Sequence, residues 1–324
     1  FEKFFMAKIL EIKIKNNFAI VSLSNPPLNA LNQKLKKELL KTFFYLQKKE
    51  NIEIILLKGI GKNFSVGADI NEFKKNSLTP SLSDVCNFIE KSNKPVIAVL
   101  NGYILGGGLE LALSAHLRIA FENSFFGFPE VNIGLLPGAG GTQRLPRLIG
   151  IKNSLEMILN GIIINEKKAL KYGLIDKNIL KSEDDLLRIM KPEVYKNLNF
   201  QLTSEKNELT PNNKKNNEIL DYFKNNYQKN LVNLKILQSV KKTMTHKFDD
   251  GLKFEKKSFY DLKKSEESKS FIHVFFSERR TNKIPEIIDN DSINDFQKIG
   301  IIGAGKMGTG IAISCLISGK KVIL

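Results

Sequence analysis

Cysteine, histidine and arginine are all scarce in this 324-residue sequence: 2 Cys, 3 His and only 6 Arg among 50 basic residues. Two cysteines, Cys86 and Cys315, make no disulfide framework and suit a reducing compartment. Three histidines and two cysteines leave too few ligands for a structural zinc site, so no metal is expected. The formal net charge is +16, which invites a nucleic-acid reading. The shortage of arginine argues against it, because nucleic-acid readers favour the bidentate guanidinium fork. Lysine and asparagine spread along the chain fit a solvated surface, one that can also help collect an anionic ligand.

An uninterrupted apolar run long enough to span a bilayer is missing as well. Residues 96–117, VIAVLNGYILGGGLELALSAHL, come nearest, but Glu110 lies inside them and Asn101-Gly102 and Gly106-Gly107-Gly108 break them. A buried strand, a glycine turn and a buried helix fit better. The N-terminal FEKFF lacks a signal peptide's pattern. The first methionine is Met6 and the last residues, Val322-Ile323-Leu324, fall within an apolar run, so a fragment at both ends is expected.

Hydrophobic residues at 42% and charged residues at 26% are ordinary globular values, excluding a collagen or a wholly disordered chain. The length suggests roughly two domains. Residues 8–23 read as two short strands joined at Asn16-Asn17, 32–49 as a helix, 52–58 as a buried strand, and 59–67 as a loop. A further buried strand is expected at 96–100 and a helix at 108–115. Strand and helix then alternate to about residue 175, which predicts an α/β fold with a mainly parallel sheet. From about 181 to 230 lysine, asparagine and glutamate predict polar helices and loops. Helices return over 248–276, with Leu252, Phe259, Leu262, Phe271, Val274 and Phe275 as apolar positions. A linker over 282–297 precedes a new strand at Lys298.

Three glycines open the apolar helix in NGYILGGGLE, residues 101–110. Glycine lets a ligand approach the backbone closely, and the first amides of a helix suit an oxyanion. Glu110 in that helix needs a partner or a task, because an unpaired buried carboxylate is costly. Glu130 follows in Phe128-Pro129-Glu130, ahead of a second glycine turn, Pro137 to Thr142. Phe64 to Ile70 follows the buried strand.

In this order and spacing the segments SNPPLNALN (24–32), FSVGADI (64–70), NGYILGGGLELAL (101–113) and FPEVNIGLLPGAGGTQRLPRLIG (128–150) resemble the crotonase, or enoyl-CoA hydratase/isomerase, superfamily. The resemblance covers residues 8–180 and implies the crotonase (ClpP-like) spiral of ββα units with a helical C-terminal region. It implies that the amides of Ala68 and Gly107 form an oxyanion hole and that Glu110 and Glu130 are acid/base carboxylates. Glu110 would act on water and Glu130 on the α-proton. It places substrate contacts at Ala68, Asp69, Ile70 and Gly138, with the CoA adenine near Ala68 to Ile70. Asn71 stands where hydratases often carry lysine. The implied substrate is an acyl-CoA thioester, hydrated without a cofactor. An enoyl-CoA isomerase needs mainly Glu130, and an RNA-binding relative is the non-enzymatic alternative.

The run KIGIIGAGKMGTGIAI, residues 298–313, places Gly303, Gly305 and Gly308 after an apolar strand and at the start of an apolar helix. In that setting the pattern is a dinucleotide fingerprint, with Gly303, Gly305, Lys306, Met307 and Gly308 as cofactor-binding residues. It resembles the start of a 3-hydroxyacyl-CoA dehydrogenase domain, and SFIHVFFSERRTNK (270–283) resembles the helix that joins hydratase to dehydrogenase in bifunctional β-oxidation enzymes. That resemblance implies NAD as the cofactor of a truncated Rossmann domain, and a chain of this extent that hydrates without oxidising. The expected division is a hydratase core over 1–190, a helical extension over 191–281, the linker over 282–297 and the dinucleotide-binding start over 298–324. His116, His246 and His273 read as structural or surface residues. The expected location is a bacterial cytoplasm or, alternatively, a peroxisome.

Overall fold

Asn16, with φ of 54°, turns the chain between β2 (Leu10–Lys15) and β3 (Phe18–Leu23). These strands form an antiparallel hairpin, edged by β1 (Glu2–Lys3). The computed structural model describes residues 2–3, 9–74, 79–176, 180–206, 214–227, 230–281 and 296–324. The expected linker therefore lies outside the described residues except at its last two positions. The chain divides into two units, residues 1–275 and 276–324.

In the first unit, α1 (Gln33–Gln47) is capped by Asn32, whose Oδ1 accepts from the Leu35 amide at 2.9 Å. It buries Leu35, Leu39, Phe43 and Leu46, one stripe at helical spacing. Then come β4 (Ile54–Gly59), α2 (Leu82–Glu90), β5 (Val96–Leu100), β6 (Tyr103–Leu105), α3 (Gly107–Leu113), β7 (Leu117–Ala120) and β8 (Phe125–Gly127). The main sheet has the order β1-β2-β3-β4-β5-β7, parallel from β3 onward. A smaller sheet joins β6, β8 and β9 (Ile163–Asn165). The run 96–117 is thus two strands and a buried helix, and no described helix is long and apolar enough to cross a membrane. The strand β6 lies in a stretch that the sequence presents as a turn.

The two faces of the main sheet follow from strand period. Ile55, Leu57, Val96, Ala98 and Leu100 face the larger core with α1, α2 and α3. Ile54, Leu56, Ile97 and Val99 face a second cluster with Leu180, Leu186 and Tyr195. Leu186 and Tyr195 come from α6 (Glu183–Ile189) and α7 (Pro192–Tyr195), which follow α5 (Glu166–Tyr172). The lysine-rich stretch therefore supplies the cover for one sheet face. Tyr195 meets Phe18 edge to face at 5.1 Å, and its hydroxyl donates to Glu53 Oε2 at 2.6 Å.

A 20-residue helix, α4 (Gly141–Asn160), breaks at Gly150, where φ is 78°. It packs with α8 (Lys214–Tyr227), α9 (Leu231–Thr245) and α10 (Phe248–Lys264). The last helix of the region, α11 (Glu266–Thr281), runs across the division between units. Within the first unit its Ser268 hydroxyl donates to the Ile133 carbonyl at 3.1 Å.

In the second unit β10 (Lys298–Gly300), α12 (Lys306–Ile317) and β11 (Lys321–Ile323) form a strand–helix–strand with the strands parallel. Gly303 turns with φ of 109°. A Cβ on Gly308 would fall 1.8 Å from the Gly303 carbonyl oxygen, so only glycine lets the helix sit this close to the turn. Ile299, Met307, Ile311 and Cys315 line an open apolar groove of about 560 Å³.

Candidate active site

The loop after β4 and the glycine-rich start of α3 meet backbone to backbone. Ser65 bridges to Ile104, and the Leu105 amide donates to the Ser65 carbonyl at 3.1 Å. A Cβ on Gly108 would fall 2.3 Å from that carbonyl, and one on Gly107 would fall 3.2 Å from the Ala68 nitrogen. Two glycines in a row thus let the backbone at Ala68 pack directly against the N-terminal end of α3. Among the described residues neither the Ala68 amide nor the Gly107 amide has a backbone acceptor.

Glu110 lies one turn into α3, a helix buried at every position from Gly107 to Leu113. Side chains on a helix tilt toward its N-terminus, which aims this carboxylate back at the glycines. Glu110 is 3% exposed, and its Oε1 accepts from the amides of Ala139 at 2.6 Å and Gly141 at 2.8 Å. Burial pushes its carboxyl up to about 7, while the two amides and the Arg144 charge pull the other way.

Glu130 sits in the 3₁₀ turn Pro129–Ile133. Its carboxylate lies against Gly106, where φ is 50° and a Cβ would come within 2.6 Å of Oε1. The residue as a whole is half-buried, yet Oε2 is enclosed and has no hydrogen-bond partner among the described residues. Burial first, and the neighbouring Glu110 charge second, hold its carboxyl well above the usual carboxylate range.

The remaining sequence-predicted positions divide between the two units. Asp69 Oδ1 accepts from the Asn71 amide at 3.0 Å and its side-chain nitrogen at 2.9 Å, and Ile70 opens a 3₁₀ turn. Gly138 lies under the Phe259 ring, whose Cγ would stand 2.6 Å from a Cβ there. Gly303, Gly305, Lys306, Met307 and Gly308 belong to the other unit.

Several residues at the site escape the sequence reading. Phe259 comes from α10 and also meets Phe73 edge to face at 5.9 Å. Arg144 is fully buried and donates to Glu90 at 2.7 Å, to Asn87 at 2.8 Å and to the Ala139 carbonyl at 3.0 Å, fixing the turn that holds Glu110. Glu255 on α10 is 1% exposed. Its Oε1 accepts from the Gly140 amide at 2.5 Å and its Oε2 from the Thr142 amide at 2.8 Å and the Thr142 hydroxyl. A signal for Glu255 was present: Leu252, Glu255, Phe259 and Leu262 share one helical stripe, and a carboxylate in an apolar stripe is unusual.

Residues 13–196 match the family model described as enoyl-CoA hydratase/isomerase. The chain is 32% identical over 343 residues to a peroxisomal fatty acid beta-oxidation multifunctional protein of Arabidopsis thaliana, covering 98% of this chain and 47% of that protein. It is 33% identical over 320 residues to the peroxisomal bifunctional enzyme of Danio rerio, covering 96% and 44%. The chain thus spans about half the length of the curated relatives it matches. Among solved structures, enoyl-CoA hydratase subunit I from Geobacillus kaustophilus aligns with a TM-score of 0.54 at 29% identity, over 83% of this chain and 95% of that one. A family model matched over more than half of the chain, and relatives above 30% identity along nearly all of it, lead to one conclusion: the chain belongs to the enoyl-CoA hydratase/isomerase family, with the crotonase α/β fold.

Proposed function

We propose that the first unit hydrates 2-enoyl-CoA thioesters to 3-hydroxyacyl-CoA. The observation that carries this reading is the pair of buried carboxylates, Glu110 and Glu130, around the N-terminal end of α3, beside the amides of Ala68 and Gly107. Adding water across the conjugated double bond moves negative charge onto the thioester oxygen. The two amides donate to that oxygen, and a donor of this kind is worth about 3–4 kcal/mol in a transition state. Glu110, ionised at and above about pH 7, takes a proton from water as the water oxygen bonds to C3. Glu130, whose carboxyl burial raises well above the ordinary carboxylate range, delivers its proton to C2. Of two carboxyls at one site, one serves as base and the other as acid.

Asp69 and Ile70 flank the expected adenine position, and Gly138, a substrate contact by resemblance, packs directly against the Phe259 ring. The test is Glu130→Gln, followed by the hydration of crotonyl-CoA. A near-wild-type rate overturns the assignment. Isomerisation of 3-enoyl-CoA needs mainly Glu130, so Glu110→Gln is expected to lower hydration sharply and spare isomerisation.

The second unit fits the first half of a dinucleotide site. The Gly303 turn and the Gly308–Gly303 approach leave the α12 N-terminus open to a pyrophosphate, and the amides from Gly305 to Gly308 are its expected donors. NAD bound there would supply a hydride acceptor for the 3-hydroxyacyl product in the longer protein. The names of the relatives favour the peroxisomal location over the bacterial cytoplasm.

A further inference from the structure

The turn before α4 uses four consecutive amides in strict alternation. Ala139 and Gly141 donate to Glu110, and Gly140 and Thr142 donate to Glu255 on the opposite side. Successive amides can point to opposite sides here because Gly140 adopts φ of 107°. The same chain segment therefore cannot slide toward one carboxylate without leaving the other.

Glu255 is set in place by its own packing. Gly251, one turn earlier on α10, lies so close to α4 that a Cβ would fall 2.1 Å from Gln143 Oε1. Thr142 Oγ1 pairs with the Ser239 hydroxyl at 2.7 Å, and Gln143 Nε2 donates to the Ser239 carbonyl at 2.8 Å. These contacts lock α4, α9 and α10 around the turn. A buried carboxylate with three donors and, among the described residues, no cationic hydrogen-bond partner is an expensive way to join helices, and a hydrophobic contact would do so at lower cost.

We propose that Glu255 is a positioning residue for hydration: it anchors the Gly140 and Thr142 amides so that the Ala139 and Gly141 amides hold Glu110 at the water-activating position. The proposal rests on the hydratase reading. The charged groups facing Glu255 are Glu110 from α3, Glu130 from the 129–133 turn and Arg144 from α4, while α9 presents the Ser239 hydroxyl to the same network. Burial holds the Glu255 carboxyl up to about 8, so little charge is lost near pH 7 on replacing it. What is lost is the grip on the turn, and with it the two amides that favour ionised Glu110.

The experiment compares wild type, Glu255→Gln, Glu255→Ala and the double variant Glu110→Gln/Glu255→Ala in crotonyl-CoA hydration from pH 5 to 9, with folding checked by circular dichroism. For Glu255→Ala the expected result is a kcat about 10-fold to 100-fold lower, the range set by misplacing a catalytic group. KM changes little, and the acid limb moves to higher pH. Glu255→Gln keeps one acceptor and should fall between Ala and wild type. If the Ala variant fails to fold, the isosteric Gln variant carries the same readouts. The double variant should be no slower than Glu110→Gln alone, because Glu255 acts through Glu110. Folded Glu255 variants with wild-type kcat and an unmoved acid limb overturn the proposal, as does a limb moved to lower pH. A wild-type chain that hydrates nothing overturns the hydratase reading and this proposal together; loss of the proposal alone leaves wild-type hydration intact.

Discussion

Gly106–Gly108 leads into α3 and Gly303–Gly308 leads into α12. Every residue of α3 is buried, whereas α12 buries only Ala312. Both turns use glycine for the same local reasons: a positive φ at Gly106 and Gly303, and a close backbone approach at Gly108 and Gly308. The difference is what surrounds the helix start. Around α3 the sheet, α4 and α10 exclude water and bring three carboxyls, Glu110, Glu130 and Glu255, into one low-dielectric region. Around α12 there is an open apolar groove. A helix N-terminus offers anion-binding amides in either setting, but acid–base chemistry needs buried carboxyls whose protonation the surroundings can set.

Glu110→Gln strains this comparison most. It keeps the shape of α3 and removes the base, so hydration should fall by about 10²-fold to 10⁴-fold, the usual worth of general acid–base catalysis. Circular dichroism should remain unchanged. A smaller loss is expected for Gly107→Ala. The added Cβ meets the Ala68 nitrogen at 3.2 Å and the flexible Leu82 side chain, which can move aside. It crowds the oxyanion position, and kcat should drop by roughly 10-fold to 10²-fold, at or below the loss of a single donor. Substrate binding in an equilibrium assay should change less than kcat.

The matching change at the other glycine turn, Gly308→Ala, drives a Cβ into the Gly303 carbonyl and should disrupt the β10–α12 approach. Hydration should stay at the wild-type rate, because that turn belongs to the other unit. A hydration defect would show that the two helix starts do not act independently.

The smallest expected effect is on stability. Glu110 and Glu255 titrate near 4.5 when unfolded and at about 7 and about 8 when folded. The folded state binds more protons between these limits. Their contribution is therefore fully present below about pH 4.5 and is lost as pH rises toward 8. Thermal unfolding of Glu255→Gln should show a weaker decline over pH 5–8 than wild type. Parallel curves would show that Glu255 does not titrate in that window.

Much of this was legible from residue order alone. The strands at 96–100 and 18–23, the helix after Asn32 and the glycine turns all obey local rules, and Glu110 and Glu130 stand out against apolar neighbours. The cover on the second sheet face was not legible. Leu186 and Tyr195 are single apolar residues in lysine-rich surroundings, and their burial depends on a sheet formed far away in sequence. For Glu255 and Phe259 the inward face of α10 is readable from the apolar stripe, but not what that face meets: Glu255 accepts from the Gly140 amide, 115 residues earlier. Arg144 was visible as a residue but not as a buried partner of Glu90, 54 positions away.

The most direct test of a base and an acid sharing one buried site is the pH dependence of kcat/KM for crotonyl-CoA hydration. The account predicts a bell, with a rising limb near pH 7 as Glu110 ionises and a falling limb at higher pH as Glu130 loses its proton. A rising limb in the ordinary carboxylate range, about pH 4.5, or a flat profile from pH 5 to 9, would contradict it.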